Sequence, residues 1–286
     1  MQSPGKKFKA ALEQESPLQI IGTINAYTAK MAEKTGFRAL YLSGAGCANA
    51  SYGLPDLAMT SLDNVLEDVR RITSVVSTPL LVDMDTGWGS ELNIARSVSQ
   101  LIKAGAAAAH IEDQQFVKRC GHRDGKKIVE ISEMVARIKA AVSGKTDPDF
   151  YVIARTDALA NEGISAAIHR AEKYIEAGAN AIFAEACYTL ADYKAFTDAL
   201  SVPVLANITE FGKTPLFTVE ELQSVGVKMV LYPLSAFRAM NQAALTVFET
   251  IRNHGTQSSL LEKMQDRKTL YQFLDYERFE KMLDQS

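Results

Sequence analysis

The sequence predicts a single (β/α)8 barrel of the TIM type, and three observations predict it. Short apolar runs alternate with longer amphipathic stretches along most of the 286 residues. The short runs are apolar on both faces, as strands must be when helices cover one side and a barrel interior the other. No two-residue hairpin signal separates any two of them, so neighbouring strands should be parallel and joined through crossover helices. A doubly wound open sheet is the other arrangement these units allow.

Taken in order, residues 3–14 predict a short helix with Phe8, Ala11 and Leu12 facing inward, part of a leading segment over 1–17. Strands are expected over 18–24, 39–42, 80–82, 108–111, 151–154, 181–184, 204–206 and 229–231, where apolar residues run without a polar break. Helical periodicity fills the intervals over 26–34, 62–75, 92–103, 132–142, 165–176, 190–200, 219–224 and 235–252. Ser61 and Ser132 stand where N-caps are wanted. A weak repeat sets the phase: Gly36, Gly105, Gly178 and Gly226 each stand between the end of a helix and the start of a strand. A left-handed helix terminus costs glycine little at such a joint. After these units, residues 256–286 form a charged helical extension carrying Tyr271, Phe273, Tyr276 and Phe279, a spacing that suits packing on the protein's own surface or on a neighbouring subunit. All of this makes one domain over 1–286.

Composition narrows the function. With 47% hydrophobic and 23% charged residues the chain can bury a large core, and a net charge of −3 offers no general attraction to phosphate backbones or anionic membranes. Nucleic acid and membrane are therefore not expected partners. The three cysteines, Cys47, Cys120 and Cys187, form no CxxC pair, which excludes a zinc knuckle or disulfide framework and suits a reducing compartment. Residues 1–18 lack a signal-peptide core, so a cytoplasmic location is expected. Gly44-Ala45-Gly46 follows a strand, but Asn49 stands at the third fingerprint position and no helical pattern opens there, so no dinucleotide site is expected.

Chemistry concentrates in Lys118-Arg119-Cys120-Gly121-His122. A thiol reacts as thiolate, and neighbouring cations draw its pKa toward neutrality, so Cys120 is a candidate proton carrier with Lys118 and His122 in the same catalytic group. A barrel places its site at the carboxyl ends of the strands, and these end in polar residues. Strand one runs into Asn25, strand two into Ser43 and Gly44, strand three into Asp83 and Asp85, and strand four into His110 and Glu112. Strand five runs into Arg155 and Asp157, strand six into Glu185, strand seven into Asn207 and Thr209, and strand eight into Tyr232 and Pro233 with Arg238 beyond. Residues two apart share a direction in a strand, so Asp83, Asp85 and Glu112 supply hard oxygen ligands without thiolates, suited to Mg2+ or Mn2+ rather than zinc. The plain alternative is that Asp83 and Asp85 are surface turn acids before Gly87 and Gly89. His110 is expected to orient Glu112 or a water.

With these residues in place the chain resembles the 2-methylisocitrate lyase branch of the isocitrate lyase and phosphoenolpyruvate mutase superfamily. The carriers are Thr23-Ile24-Asn25-Ala26, Leu42-Ser43-Gly44, Gly53-Leu54-Pro55-Asp56, Val82-Asp83-Met84-Asp85, His110-Ile111-Glu112-Asp113-Gln114, the Cys120 stretch, Ala154-Arg155-Thr156-Asp157-Ala158 and Asn207-Ile208-Thr209-Glu210-Phe211-Gly212. The resemblance implies a barrel whose last helix is exchanged with a neighbour, assembled as a homotetramer of such pairs. It implies Mg2+ on Asp83 and Asp85, partly through water, and a tricarboxylate substrate contacted by Ser43, Gly44, Ala45, Cys120, Gly121, Arg155, Glu185, Asn207, Ile208, Thr209, Arg238 and Arg267. Ala45 departs from the family, which usually has a third glycine there. The implied reaction cleaves (2S,3R)-2-methylisocitrate to pyruvate and succinate in propionate breakdown by the methylcitrate cycle. Tyr41 is a candidate base for the substrate hydroxyl, Cys120 exchanges the proton on the succinate carbon, and residues 115–128 are expected to close as a lid. Isocitrate lyase and phosphonate or oxaloacetate enzymes of the superfamily are the near rivals, although isocitrate lyases usually carry long insertions. A metal-binding barrel without catalysis is the distant one.

Overall fold

A computed structural model describes residues 2–116, 118–123 and 125–285. Eight parallel strands close a barrel in sequence order, so the open-sheet alternative is excluded. They are β1 (Leu18–Gly22), β2 (Ala39–Leu42), β3 (Leu80–Asp83), β4 (Ala108–Glu112), β5 (Tyr151–Thr156), β6 (Ala181–Ala184), β7 (Val204–Asn207) and β8 (Met229–Tyr232). The helices before β5 are α1 (Pro4–Gln14), α2 (Ala26–Lys34), α3 (Gly44–Tyr52), α4 (Leu62–Thr73), α5 (Glu91–Lys103) and α6 (Ile131–Ser143). Those after it are α7 (Leu159–Glu162), α8 (Ile164–Glu176), α9 (Leu190–Ala199), α10 (Val219–Ser224), α11 (Ser235–His254), α12 (Arg267–Leu274) and α13 (Tyr276–Asp284).

All four expected joints form. The N–H groups of Phe37, Ala106, Ala179 and Val227 reach back to the carbonyls of Ala32, Leu101, Tyr174 and Leu222 at 3.2, 3.0, 3.1 and 3.1 Å, with the preceding glycine at positive φ each time. Each is a helix end whose last carbonyls are satisfied before the chain enters the next strand. Two local readings are corrected. A helix does open at Gly44: Ser43 caps it by accepting from Gly46 N at 3.3 Å, and Cys47 and Ala48 bury against the core. Helix α6 begins before Ser132, with Glu130 as its N-cap.

The core has an inner and an outer part. Inside the barrel Leu18, Ile20, Leu81, Ile153, Phe183, Leu205 and Leu231 pack together, while the larger shell lies between strands and helices. Helix α1 belongs to the inner part. Phe8 is fully buried with its ring 5.3 Å from Tyr151, and Gly5 passes so close to Asp149 and Phe150 that a Cβ would lie 2.4 Å from backbone. The amino-terminal end of the barrel is thereby stoppered, which leaves the carboxyl end for the site.

The far end of the chain is different. None of the twenty residues of α11 is buried, and Met240, Leu245, Phe248 and Ile251 stand exposed. Beyond it come a 3-10 turn (Ser258–Lys263), α12 and α13, of which α12 lies against α2, with Phe273 edge-on to Tyr27 at 6.3 Å and Lys34 paired with Asp275 at 3.0 Å. No helix among the described residues is long and apolar enough to cross a membrane.

Candidate active site

Strand register builds the site. Asp83 is paired with His110 across β3 and β4, and Glu112 with Arg155 across β4 and β5. Paired residues point the same way, so these two couples stand side by side inside the carboxyl end. Asp83 and Asp85 also converge, though not by strand alternation. The strand ends at Asp83, and Asp85 turns back at φ 48°, donating its N–H to Asp83 Oδ1 at 2.9 Å. Both acids are buried, so they are not surface turn residues.

Around the pair, Gly44 N donates to Asp83 Oδ2 at 3.1 Å, and a Cβ at Gly44 would lie 3.1 Å from both Asp83 Oδ2 and Asp85 Oδ1. Lys118 leaves its loop to lie between acids, with Nζ 2.5 Å from Asp56 Oδ1 and 2.8 Å from Asp85 Oδ1. Burial works against that ammonium, but Asp85, Glu112 and Asp56 outweigh it and hold it well above the ordinary lysine range. For Asp83 burial favours the neutral acid, and His110, Lys118 and Arg155 reverse the balance and hold it below the usual carboxylate range. The ring of His110 is itself kept neutral by burial, down to about 4, so Lys118 and Arg155 are the charges that act on Asp83 at neutral pH. Asp85, buried and beside Asp83, is pushed up to about 6 despite Lys118.

Arg155 is the second centre. Its Nε and Nη2 meet Asp157 at 3.0 and 3.2 Å, Nη1 lies 3.1 Å from Glu112 Oε2, and Nη2 lies 3.4 Å from Glu185 Oε1, while the guanidinium sits 5.2 Å from the centre of the Phe183 ring. The Glu112 contact lacks hydrogen-bond alignment, both Glu112 oxygens have no donor, and burial raises that carboxyl well above its usual range. Glu112 closes no three-acid cage with Asp83 and Asp85, although Asp85 and Lys118 lie near enough for their charges to act on it, and the register pairs it with Arg155. Nor does His110 orient it: His110 Nε2 lies 2.9 Å from Tyr41 Oη and 3.5 Å from Asp83 Oδ1.

The Cys120 stretch closes over these groups. A Cβ on Gly121 would lie 1.9 Å from Glu185 Oε1 and 2.3 Å from Arg155 Nη2, so only glycine lets the loop rest there. His122 Nδ1 accepts from Lys213 N at 3.0 Å, which directs Nε2–H toward Glu185 Oε1 at 3.4 Å, and burial lowers the pKa of the ring. Asn207 Nδ2 donates to Glu185 Oε2 at 3.2 Å. The cavity left between loop and barrel measures about 190 Å³ and is lined by Tyr41, Ser43, Ala45, Asp83, Lys118, Cys120, Gly121, His122, Arg155, Glu185, Asn207, Thr209 and Arg238. Sequence reasoning left out Phe183, Phe211, Leu231 and Leu234, the apolar part of the same wall, because they read as ordinary strand and loop residues.

Placement bears on three expected roles. Burial and Asp83 hold the Tyr41 phenol well above its ordinary pKa, so it rests protonated and can serve as the expected base only by passing its own proton on to His110. The Ile208 side chain packs into the outer core while its N–H bonds Leu231 O at 2.8 Å, which removes it from the cavity wall. Arg267 begins α12, outside the cavity of its own barrel, and lines instead an open groove of about 1240 Å³ between α12 and α13.

Among the described residues no three acidic, imidazole or thiol side chains converge as a ready-made metal cage. The donors fit Mg2+ all the same, because that ion commonly takes one or two protein carboxylates and keeps waters in its other positions. Asp83 and Asp85 offer two hard carboxylates over the space that Gly44 leaves open, and Lys118 already lies as a cation against Asp85.

Fold and site together define a (β/α)8-barrel enzyme with a buried acid pair, a cavity-lining arginine and a thiol-bearing loop at the carboxyl mouth. The phosphoenolpyruvate phosphomutase family profile matches residues 8–252. The 2-methylisocitrate lyase of Escherichia coli (strain K12) is 59% identical over 285 residues, covering 99% of this chain and 96% of the relative. That of Shewanella oneidensis is 58% identical over 284 residues, covering 99% and 97%. Among solved structures, 2,3-dimethylmalate lyase, described as a superfamily member, superposes with a TM-score of 0.91 at 31% identity, covering 100% and 96%. Phosphonopyruvate hydrolase, solved with oxalate and Mg2+, does so at 0.85 and 32%, covering 98% and 97%. The chain belongs to the phosphoenolpyruvate mutase family and, within it, to the 2-methylisocitrate lyases.

Proposed function

We propose that this enzyme cleaves (2S,3R)-2-methylisocitrate reversibly to pyruvate and succinate, in the methylcitrate cycle of propionate breakdown in the cytoplasm. One observation carries the reading. A single small cavity has the exposed thiol of Cys120 on one wall, Asp83 of the acid pair at its floor, and Arg155 and Arg238 as carboxylate partners. The sequence identity to 2-methylisocitrate lyases, well above that to the dimethylmalate and phosphonopyruvate enzymes, supports this substrate over theirs.

Cleavage passes the proton of the C2 hydroxyl to Tyr41 Oη as Tyr41 hands its own proton to the neutral ring of His110, whose Nε2 lies 2.9 Å away, turns that carbon into the ketone of pyruvate, and leaves the electrons of the C2–C3 bond on the succinate fragment. That fragment, an aci-carboxylate, needs positive charge and donors before its carbon is protonated. Arg155 supplies fixed charge, held by Asp157 in the plane that Glu185 and Glu112 also face. Tyr41 and Ser43 donate at the floor, Asn207 and Thr209 line the opposite side, and the loop excludes water. Mg2+ on Asp83 and Asp85, when bound, polarises the oxygens of the pyruvate half. Cys120 then gives its proton to the succinate carbon, and in the reverse direction its thiolate removes it. Assembly as a homotetramer of helix-exchanged pairs accompanies this reading, with the bare α11 as support.

The test is pyruvate release from 2-methylisocitrate, isocitrate and oxaloacetate, with Mg2+ and with chelator. We expect turnover of the first alone and its loss with chelator. Asp85→Asn should weaken Mg2+ binding by calorimetry and leave the fold intact. Equal turnover of isocitrate removes the substrate assignment, and full activity in chelator removes the metal.

A further inference from the structure

We infer that Gln114 and Lys126 are positioning residues for Cys120, fastening the main chain on either side of the thiol. The inference deepens the proposed function and rests on Cys120 being the proton carrier. Gln114 lies just past the end of β4, and its own carbonyl accepts from Arg137 Nη1 at 2.8 Å. Its side-chain amide donates to Arg119 O and accepts from Arg119 N, both at 2.9 Å. One amide thus makes the two bonds that a neighbouring strand would make, and fixes the residue directly before Cys120.

Lys126 does the same on the other side. Its ammonium, fully withdrawn from solvent with Asp157, donates to Gly121 O at 2.6 Å and to Asp157 Oδ1 at 2.6 Å. A buried ammonium needs every partner it has. If the loop lifts, Gly121 O leaves and Lys126 keeps Asp157 alone, so the side chain favours the lowered loop. Asp157 is also the partner of Arg155, and it is itself placed by Asp113, whose Oδ1 accepts from Asp157 N at 2.9 Å. Lys126 therefore links the height of the thiol loop to the arginine that faces the substrate. Cys120 is held between a bond pair anchored at Gln114, just past β4, and an ion pair anchored at Asp157, just past β5.

The experiment uses the full-length enzyme and three variants, Gln114→Met, Lys126→Met and Lys126→Arg. It reads hydrogen exchange of peptides covering 118–123 and 151–156, and kcat and KM for 2-methylisocitrate. In the methionine variants exchange over 118–123 should rise at least about tenfold, the effect of losing one hydrogen bond to a charged group in Lys126→Met or a pair of neutral ones in Gln114→Met, with 151–156 unchanged. The kcat should fall about a hundredfold, the scale of a misplaced reacting group, with KM changed far less. Lys126→Arg should recover part of both. Wild-type exchange over 118–123 with wild-type kcat in either methionine variant overturns the inference. If Lys126→Met also loses protection over 151–156, the arginine variant decides: faster exchange confined to 118–123 supports the inference, and unchanged exchange there overturns it. A wild-type enzyme that does not cleave 2-methylisocitrate defeats the proposed function while the exchange result still reads the fastening.

Discussion

At the scale of single residues, surroundings separate groups of the same type. Burial pushes the thiols of Cys47 and Cys187 well above the ordinary range, whereas Cys120 is exposed and faces the cavity. Cys120→Ser nearly preserves shape but substitutes a hydroxyl too weakly acidic to exchange protons near neutrality. Its rate of methylisocitrate cleavage should drop by at least about a hundredfold, the lower range for removing a general acid, with Mg2+ binding and melting temperature unchanged. A serine variant near the wild-type rate would transfer the role, and His122 is next on the loop. His110 gives a pH prediction. Its folded pKa of about 4 lies below the ordinary value of 6.5, so between these two values the unfolded chain binds a proton that the folded one does not. Its contribution to stability is complete above pH 6.5 and lost as pH falls toward 4. From pH 7.5 to pH 5 the loss is about 2 kcal/mol, absent in His110→Gln, and urea unfolding of the two proteins at both pH values measures it. Parallel pH dependence in the two proteins would show that the ring takes up its proton as readily in the folded chain as in the unfolded one.

At the scale of elements, what was legible followed from periodicity. Strand positions, the glycine joints and the polar strand ends all depend on patterns that survive in one dimension. The joints are strong enough to predict from: at Gly178 φ is 108°, and a Cβ there would lie 3.1 Å from Val142 Cγ2. Gly178→Ala should cost about 1–2 kcal/mol by urea unfolding and leave kcat unchanged. A variant as stable as wild type would show that the joint relaxes freely. What escaped depends on three dimensions. Helix α3 has small residues and no amphipathic stripe, so Gly44-Ala45-Gly46 reads as a loop until Ser43 is seen capping it. Asp83 and Asp85 converge through a left-handed turn that no alternation rule describes. That register would pair Glu112 with Arg155 could not be read before the strands were aligned. The fixed roles of Gln114 and Lys126 needed the folded loop as well, since glutamine after a strand and lysine in a basic loop carry no signal of their own.

At the scale of the whole molecule, the single chain contains a site without Arg267 and a long helix without a core. Arg267 lies on α12, outside the cavity of its own barrel, and α11 carries Met240, Leu245, Phe248 and Ile251 into solvent. Apolar residues at such spacing on a twenty-residue helix mark a surface that associates. If pairs form by exchange of the last helices, Arg267 of one protomer serves the cavity of the other. Complementation tests this directly. Cys120→Ser and Arg267→Ala should each be nearly inactive alone. In a pair made of one protomer of each kind, exchange puts both defects into one site and leaves the other site intact. Unfolded together and refolded as an equal mixture, the two inactive variants should recover about a quarter of wild-type pyruvate release, because random pairing makes half the pairs mixed and each mixed pair has one good site in two. Had Arg267 acted within its own chain, every site in the mixture would keep one defect and no activity would return. Sedimentation of the wild type beside a chain ending at residue 255 completes the test: a wild type that is monomeric at micromolar concentration excludes the exchange whatever the mixture does.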